Sequence, residues 1–512
     1  MTTIEQALEH HQAGRLRQAE AIYRQILTRD PNHAKALHLM GVIAHQTGQQ
    51  AAAVELIGRA LKLKPDYAAA RNNLGLALHA QGKPTEAVAA YQQALTLTPD
   101  DAEVHNNLGV ALIGQGKSTE ASTAFKQALA LDPNHVQAHN NLGGTLVCQG
   151  KLAEAIACWK QALTLEPNYA EARSNLIQCM HYSPAFDADA IFAEARRFNA
   201  AHVQPLRAQI HPHDNDRAPE RRLRIGYVSA SFRQHPVGFF FSGVAAAHDK
   251  EQFEVICYSD VRTPDAITKG FAFHADHWRD IVAVGNDALA AMIRADRIDI
   301  LVDLAGHSAG NRLLAFARKP APVQVTGGGH YDTTGLDVID YLLSDRFETP
   351  PGSDRYFSEE LVLMPNGYVC YKPPDYAPPV TQSPVLNRGY ITFGCFNNLA
   401  KITPQVIALW AEILRGLPEA RMKLQTRELN DAATRERYRA QFESHGIHGD
   451  RLELAGHVPH QALLSNYSTI DIALDPFPYS GGLSTCEALW MGVPVITLKG
   501  HTFAGRHSTS HL

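Results

Sequence analysis

A step of 34 residues governs the first third of the chain. Gly41, Gly75, Gly109 and Gly143 keep it, as do Pro31, Pro65, Pro99, Pro133 and Pro167, and Gly14, Gly48, Gly82, Gly116 and Gly150 run in phase with both. A period of this length is the signature of a helix–turn–helix unit that buries its apolar face only by stacking on its neighbours. In the unit 68–101, Leu74, Gly75, Leu76 and Leu78 give one apolar face and Gly82 ends the first helix. Ala87, Tyr91 and Ala94 carry the second helix, which Pro99 stops because proline has no amide donor and clashes with the preceding turn. The aromatic slot reads Tyr91, Phe125 and Trp159 in successive units, and a small residue such as Gly75 suits a close helix crossing.

This is the grammar of the tetratricopeptide (TPR) repeat, and it predicts an α-superhelix over residues 1–203, with 1–33 an atypical first unit and 170–200 a last helical pair. Asn73, Asn107, Asn141 and Asn175 recur at the same step, three of them preceded by Asn72, Asn106 and Asn140. Asparagine is a poor helix-interior residue, so helix propensity does not explain this ladder. Its carboxamide donates and accepts, which suits the backbone of an extended peptide held in the superhelix groove; bonding between adjacent repeats is the alternative.

A chain of 512 residues is too long for one core. The net charge of −5 and the lack of a basic run leave no electrostatic footprint for nucleic acid, and no apolar stretch has the length of a membrane span. The polar N-terminus lacks the order of a signal peptide. The seven cysteines are scattered and form no CxxC pair, which fits reduced thiols and a cytoplasmic location. His274 and His277, in HADH, lack a clustered third ligand, so no metal site is expected.

After a polar linker, 204–222, β-rich runs alternate with helical patterns. LRIGYVSAS, FEVICYS and IDILVDLAG predict strands of a first parallel sheet in 223–370. A proline-rich bridge, 371–389, leads to a second block, 390–512, where ITFGCF, RMKLQT, LELAG, DIALD and PVITL predict another sheet. Two such domains make a cleft, and ligands of open α/β sheets sit at the carboxyl ends of the strands.

Three loops carry candidate chemistry. FNNLAKI, Phe396–Ile402, puts Lys401 where a phosphate can meet a helix N-terminus. DPFPYSGGLSTCEALW, Asp475–Trp490, brings Gly481 and Gly482 close to a ligand, offers Ser484 and Thr485 as hydroxyls, and sets Glu487 one turn in, in reach of ribose hydroxyls. SFRQHPVGFF places His235 on the exit loop of the first strand, as a general-base or hydrogen-bonding group. No Walker lysine follows GxxxxG, which argues against a P-loop NTPase.

Together these elements resemble the O-linked N-acetylglucosamine transferases and their SPINDLY-type relatives, glycosyltransferase family 41. The resemblance rests on the TPR array, LRIGYVSASFRQHP, IDILVDLAGHS, ARKPAPVQV, ITFGCFNNLAKITP, and DIALDPFPYSGG followed by CEALWMGVPVITL. It implies a GT-B pair of Rossmann-like domains and an inverting, metal-independent transfer of N-acetylglucosamine from UDP-GlcNAc to serine or threonine hydroxyls of a polypeptide in the groove. It further implies His235 as the active-site histidine, Lys401 as the neutraliser of the leaving diphosphate and Asn398 as its polar neighbour. Val458 and His460 then contact the base, Ser484 and Thr485 the phosphates, and Glu487 the ribose.

The chain departs from the family pattern in three places. TGGGHYDTTG, Thr326–Gly335, stands where the family reads WLGYP and GTTG, with Gly327, His330 and Tyr331 in the altered places. Leu483 interrupts a string of threonines in the phosphate loop. The chain stops at Leu512 where the family continues through further helices, so an incomplete second domain is expected. Two alternatives follow: a SPINDLY-type transferase using GDP-fucose, or a TPR scaffold whose transferase half is impaired. No cofactor beyond the nucleotide sugar is expected.

Overall fold

A computed structural model of the chain describes residues 3–329 and 332–512. Its contacts divide it into two compact units, one ending at Leu146 and one running from Val147 to Leu512. The first holds the helix pairs α1 (Ile4–Gln12) and α2 (Leu16–Arg29), α3 (Ala34–Gln46) and α4 (Gln50–Leu63), α5 (Ala68–Ala80) and α6 (Pro84–Leu97), α7 (Ala102–Gly114) and α8 (Ser118–Leu131). Helix α9 (Val136–Cys148) runs across the division.

Each series of the 34-residue step has its own physical task. Gly14, Gly48, Gly82, Gly116 and Gly150 adopt φ between 70° and 79°, the left-handed residue that closes the first helix of each pair. Asp30, Lys64, Thr98, Asp132 and Glu166 precede the prolines and leave the helical region, as the following pyrrolidine ring demands. A Cβ on Gly75 would stand 2.5 Å from the Tyr91 ring, and one on Gly109 2.5 Å from Phe125. The aromatic of the second helix therefore fills the space that the glycine leaves on the first.

The asparagine ladder makes bonds between repeats. Asn107 donates to Asn72 Oδ1 at 3.2 Å and Asn141 to Asn106 Oδ1 at 3.0 Å, each to the preceding repeat. Asn73 meets His38 Nε2 at 2.7 Å, and His38 stands where the preceding repeat would carry its first ladder asparagine. Asn175, on α11 (Ala170–Tyr182), is half-buried in the second unit. Asn73, Asn107 and Asn141 thus each make one bond to the preceding repeat, the alternative that the sequence left beside peptide binding. Asn107→Ala is expected to lower unfolding free energy by about 1 kcal/mol, the worth of one such bond, in a urea titration. An unchanged midpoint with impaired acceptor modification would return these residues to the groove.

The second unit begins with α10 (Leu152–Leu165), α11 and α12 (Ala188–His202). Helices α11 and α12 bury apolar faces against the first sheet. Ile177, Ala195, Phe198 and Val203 share a core with Val228, Ile256 and Leu301. Ser174 Oγ also lies 3.0 Å from His307 Nδ1. The polar stretch expected to be a linker is strapped down, with Arg221 clamping Asp299 at 2.6 and 2.7 Å and Arg207 pairing Asp337 at 2.5 Å.

The first sheet contains β1 (Leu223–Ser229), β2 (Phe253–Ser259), β3 (His277–Asp280), β4 (Ile300–Asp303), β5 (Val323–Thr326), β6 (Tyr341–Asp345) and β7 (Glu360–Met364). Its strands are parallel, in the order β3-β2-β1-β4-β5-β6-β7. The second contains β8 (Thr392–Cys395), β9 (Arg421–Gln425), β10 (Leu452–Ala455), β11 (Ile472–Leu474) and β12 (Val495–Ile496), parallel in the order β10-β9-β8-β11-β12. Strand order reverses between β1 and β4 and again between β8 and β11, so each sheet has a switch point where a ligand crevice opens. His277 lies on β3 and bonds Glu254 at 2.9 Å. No helix among the described residues is long and apolar enough to cross a membrane.

Candidate functional site

The switch point of the second sheet gathers the loops that follow β8 and β11. After β8, the chain makes a single 3-10 turn, Leu399–Lys401. Asn398 caps it, its Oδ1 accepting from the Ala400 amide at 2.8 Å, and its side chain faces solvent. Its neighbour Asn397 is buried and accepts from Ser484 Oγ at 2.9 Å, so Asn397 is the residue that joins the two loops. Lys401 Nζ donates to the Ser480 carbonyl at 2.7 Å and sits 4.1 Å from the centre of the Tyr479 ring. Burial lowers its pKa to about 8, against the pull of Asp475, which leaves an ammonium at neutral pH.

After β11, Asp475 Oδ1 accepts from the Gly481 amide at 2.6 Å and fixes the turn into the helix Leu483–Trp490. Gly482 is the N-cap and supplies no side-chain bond; the Thr485 amide donates to the Gly482 carbonyl at 3.1 Å, and the Leu483 and Ser484 amides open the helix at its N-terminus. Ser484 stands at the opening, whereas Thr485 is buried and bonded to Ser508 Oγ at 2.7 Å. Of the two hydroxyls expected at the phosphates, Thr485 is thus turned inward to Ser508, and Ser484 is the half-buried one.

Glu487 is buried one turn into this helix, and burial raises its pKa, while a bond from His460 opposes the rise. His460 Nε2 is 2.7 Å from Glu487 Oε1, and His460 Nδ1 is 2.7 Å from Tyr376 Oη. With Nε2–H donating to the carboxylate, Nδ1 accepts from the tyrosine, whose oxygen in turn takes Gln234 Nε2–H at 3.4 Å. His460 also stacks on Phe239 at 4.7 Å. Val458 is half-buried two residues before His460. A polar chain thus runs from the His235 loop, through Tyr376 of the proline-rich bridge, to Glu487.

On the first sheet, the β1 exit loop ends at His235, the N-cap of the helix Pro236–Ala246. Its Nδ1 accepts from the Val237 amide at 3.3 Å. Burial, and then Arg233, lower its pKa to about 4, so the ring is neutral and carries its proton on Nε2. After β5, Gly327 and Gly328 take φ of 144° and 75°, and a Cβ on Gly329 would stand 2.0 Å from the Leu304 carbonyl oxygen. The glycines of the altered run are thus demanded by the backbone path. Beyond them, Thr333 Oγ1 and the Thr334 amide donate to the buried Glu359 at 2.5 and 2.8 Å. His330 and Tyr331 lie outside the described residues.

Residues 189–375 and 380–512 match Glycosyl transferase family 41, and 43–82, 77–116 and 145–176 match a TPR repeat. The chain belongs to glycosyl transferase family 41. Among curated proteins it is 41% identical over 320 residues to a probable UDP-N-acetylglucosamine–peptide N-acetylglucosaminyltransferase SPINDLY of Solanum lycopersicum, covering 61% of this chain and 34% of that protein. It is 32% identical over 298 residues to a probable UDP-N-acetylglucosamine–peptide N-acetylglucosaminyltransferase SEC of Arabidopsis thaliana, covering 56% of this chain and 30% of that one. The chain thus spans about a third of the length of these relatives. An O-GlcNAc transferase mutant of Thermobaculum terrenum shares the fold at a TM-score of 0.81 and 40% identity, covering 87% of this chain and 85% of that one. The GT-B arrangement expected from the family resemblance is the arrangement found.

Sequence reasoning missed Asn397, Tyr376, Tyr479 and Phe239. Asn397 was within the quoted motif, and only the direction of its side chain distinguishes it from Asn398. The other three act through contacts between residues far apart in the chain, such as Tyr376 with His460, and carry no local signal.

Proposed function

We propose that this chain transfers N-acetylglucosamine from UDP-GlcNAc to serine or threonine hydroxyls of polypeptides, with inversion at the anomeric carbon and no metal. The observation that carries the reading is Lys401, desolvated yet protonated, set against Ser480 and Tyr479 beside the open first turn of a helix. The names of the relatives support N-acetylglucosamine as the sugar, and the TPR matches support a polypeptide acceptor.

In the proposed step the acceptor oxygen forms a bond to the anomeric carbon as the bond to the diphosphate oxygen breaks. The electron pair leaves with the diphosphate, and the Lys401 ammonium with the amides after Gly482 stabilises the charge that grows there. Glu487 accepts the ribose hydroxyls, which requires His460 to share or yield its bond. His235 presents Nε2–H, because its Nδ1 is engaged by the Val237 amide. It therefore orients the acceptor oxygen as a donor, and the hydroxyl proton leaves to a phosphate oxygen or water. Holding both reactants in one geometry supplies much of the remaining acceleration.

Titration calorimetry of the 512-residue chain with UDP and with GDP tests the reading. Saturable binding of UDP in preference to GDP is expected. Preference for GDP would replace the donor with a fucose nucleotide. Binding of neither by a cooperatively melting chain would overturn the enzyme reading in favour of a TPR scaffold.

A further inference from the structure

Tyr438 lies on the helix Ala432–Ser444, buried in the core of the second sheet with Leu399 and Ile402. Its hydroxyl is 3.0 Å from the Leu399 carbonyl and 3.4 Å from the Ile402 carbonyl, sharing one proton between the two. Those carbonyls bracket Lys401. Behind the same hydroxyl stands Gly150, in the turn between α9 and α10, where a Cβ would lie 2.5 Å from the tyrosine oxygen. Arg437 donates from Nη2 to the carbonyl of Gln149 in that turn.

Gly150 differs from the rest of its series. A Cβ on Gly14, Gly48, Gly82 or Gly116 would meet nothing within 4 Å among the described residues, so those positions need glycine only for their left-handed φ. Gly150 needs it for φ and for the approach of Tyr438. The turn Gln149–Gly150 is thus fitted to the back of the lysine loop.

We infer that Tyr438 is a positioning residue for Lys401, held in place from behind by the repeat turn Gln149–Gly150. The inference rests on the reading of Lys401 as the contact to the leaving diphosphate. A charge that must be presented without water needs a fixed backbone, and the 3-10 turn of three residues has little hydrogen bonding of its own.

The test uses Tyr438→Phe in the full chain, with two measurements. Acylation of the Lys401 amine by an amine-reactive acetyl reagent, followed by peptide mass spectrometry at pH 8, is expected to change several-fold. UDP affinity is expected to fall about 5- to 10-fold with Lys401 present and to be unaffected by the same substitution in a Lys401→Met background. Gly150→Ala is expected to alter Lys401 acylation, while Gly116→Ala, with the same φ and open space, leaves it unchanged. An unchanged acylation rate in Tyr438→Phe overturns the inference, as does an equal loss of UDP affinity in both backgrounds. If the unaltered chain binds no nucleotide, the functional reading fails, and the acylation result still decides the role of Tyr438.

Discussion

Lys401→Met is expected to abolish transfer and to leave the protein harder to unfold. The two effects have one cause. Burial depresses the lysine pKa from 10.5 to about 8, so the folded state holds the ammonium at a cost that the unfolded state does not bear. Because the side chain retains some exposure and gains from the Tyr479 face and the Ser480 carbonyl, the net cost is on the order of 1–2 kcal/mol. Methionine fills the same volume without charge and recovers that energy. Transfer falls roughly 10³-fold, because the charge developing on the leaving group loses its cation. The stability difference depends on pH in a defined direction. Below pH 8 the lysine is charged in both states and the methionine advantage is full; between about 8 and 10.5 the unfolded state binds the extra proton, stability of the parent rises with pH, and the advantage fades. Chemical denaturation at pH 7 and pH 10.5, paired with transfer assays, measures both. Equal stability at pH 7 would mean that the lysine is solvated, and undiminished transfer would remove it from the mechanism.

What the sequence made legible follows from how directly a residue type answers a backbone demand. Left-handed glycines and helix-stopping prolines are such answers, so the repeats were readable to within a few residues. Strands β1, β2, β4 and β8 to β12 were readable because their residues are apolar and β-branched or flanked by turn residues. β3 reads HWRD and lies at a sheet edge, where polarity erases the pattern, and the short β5 gave no separate signal. That α11 and α12 pack on the first sheet was not legible, because the apolar face of α11 looks the same whether it packs on another repeat or on a sheet. The ladder shows a similar ambiguity, since a carboxamide bonds a peptide or its neighbour by the same chemistry. In the site, Lys401, Ser484 and Glu487 were recognisable from their loops. The choice between Asn397 and Asn398, and the inward turn of Thr485, depend on side-chain directions that only tertiary packing decides.

Gly238→Ala is expected to cut transfer by at least 10²-fold while leaving UDP affinity within about two-fold. Helix propensity alone favours this substitution, by up to about 1 kcal/mol, because Gly238 sits inside the helix Pro236–Ala246. Packing opposes it. The new Cβ would stand 2.0 Å from the Arg233 carbonyl oxygen and 3.3 Å from that of Ser231, both backbone atoms of the loop that presents His235. That loop is tightly turned, with the Arg233 amide 2.7 Å from the Ser231 carbonyl, and cannot absorb the collision by rotating a side chain. It must move as a body, carrying His235 off its cap and Gln234 away from Asp265 and Tyr376. A displacement near 1 Å at a group that orients a reactant costs about 10²-fold, and overpacking of this kind costs about 1–3 kcal/mol of stability. The phosphate loops belong to the second sheet, so nucleotide binding does not share the loss. Transfer rates at saturating donor, together with calorimetry of UDP, separate the two. Retained transfer would show that His235 has no positional role, whereas a parallel collapse of UDP affinity would show that the His235 loop supports the nucleotide through the Tyr376–His460 chain.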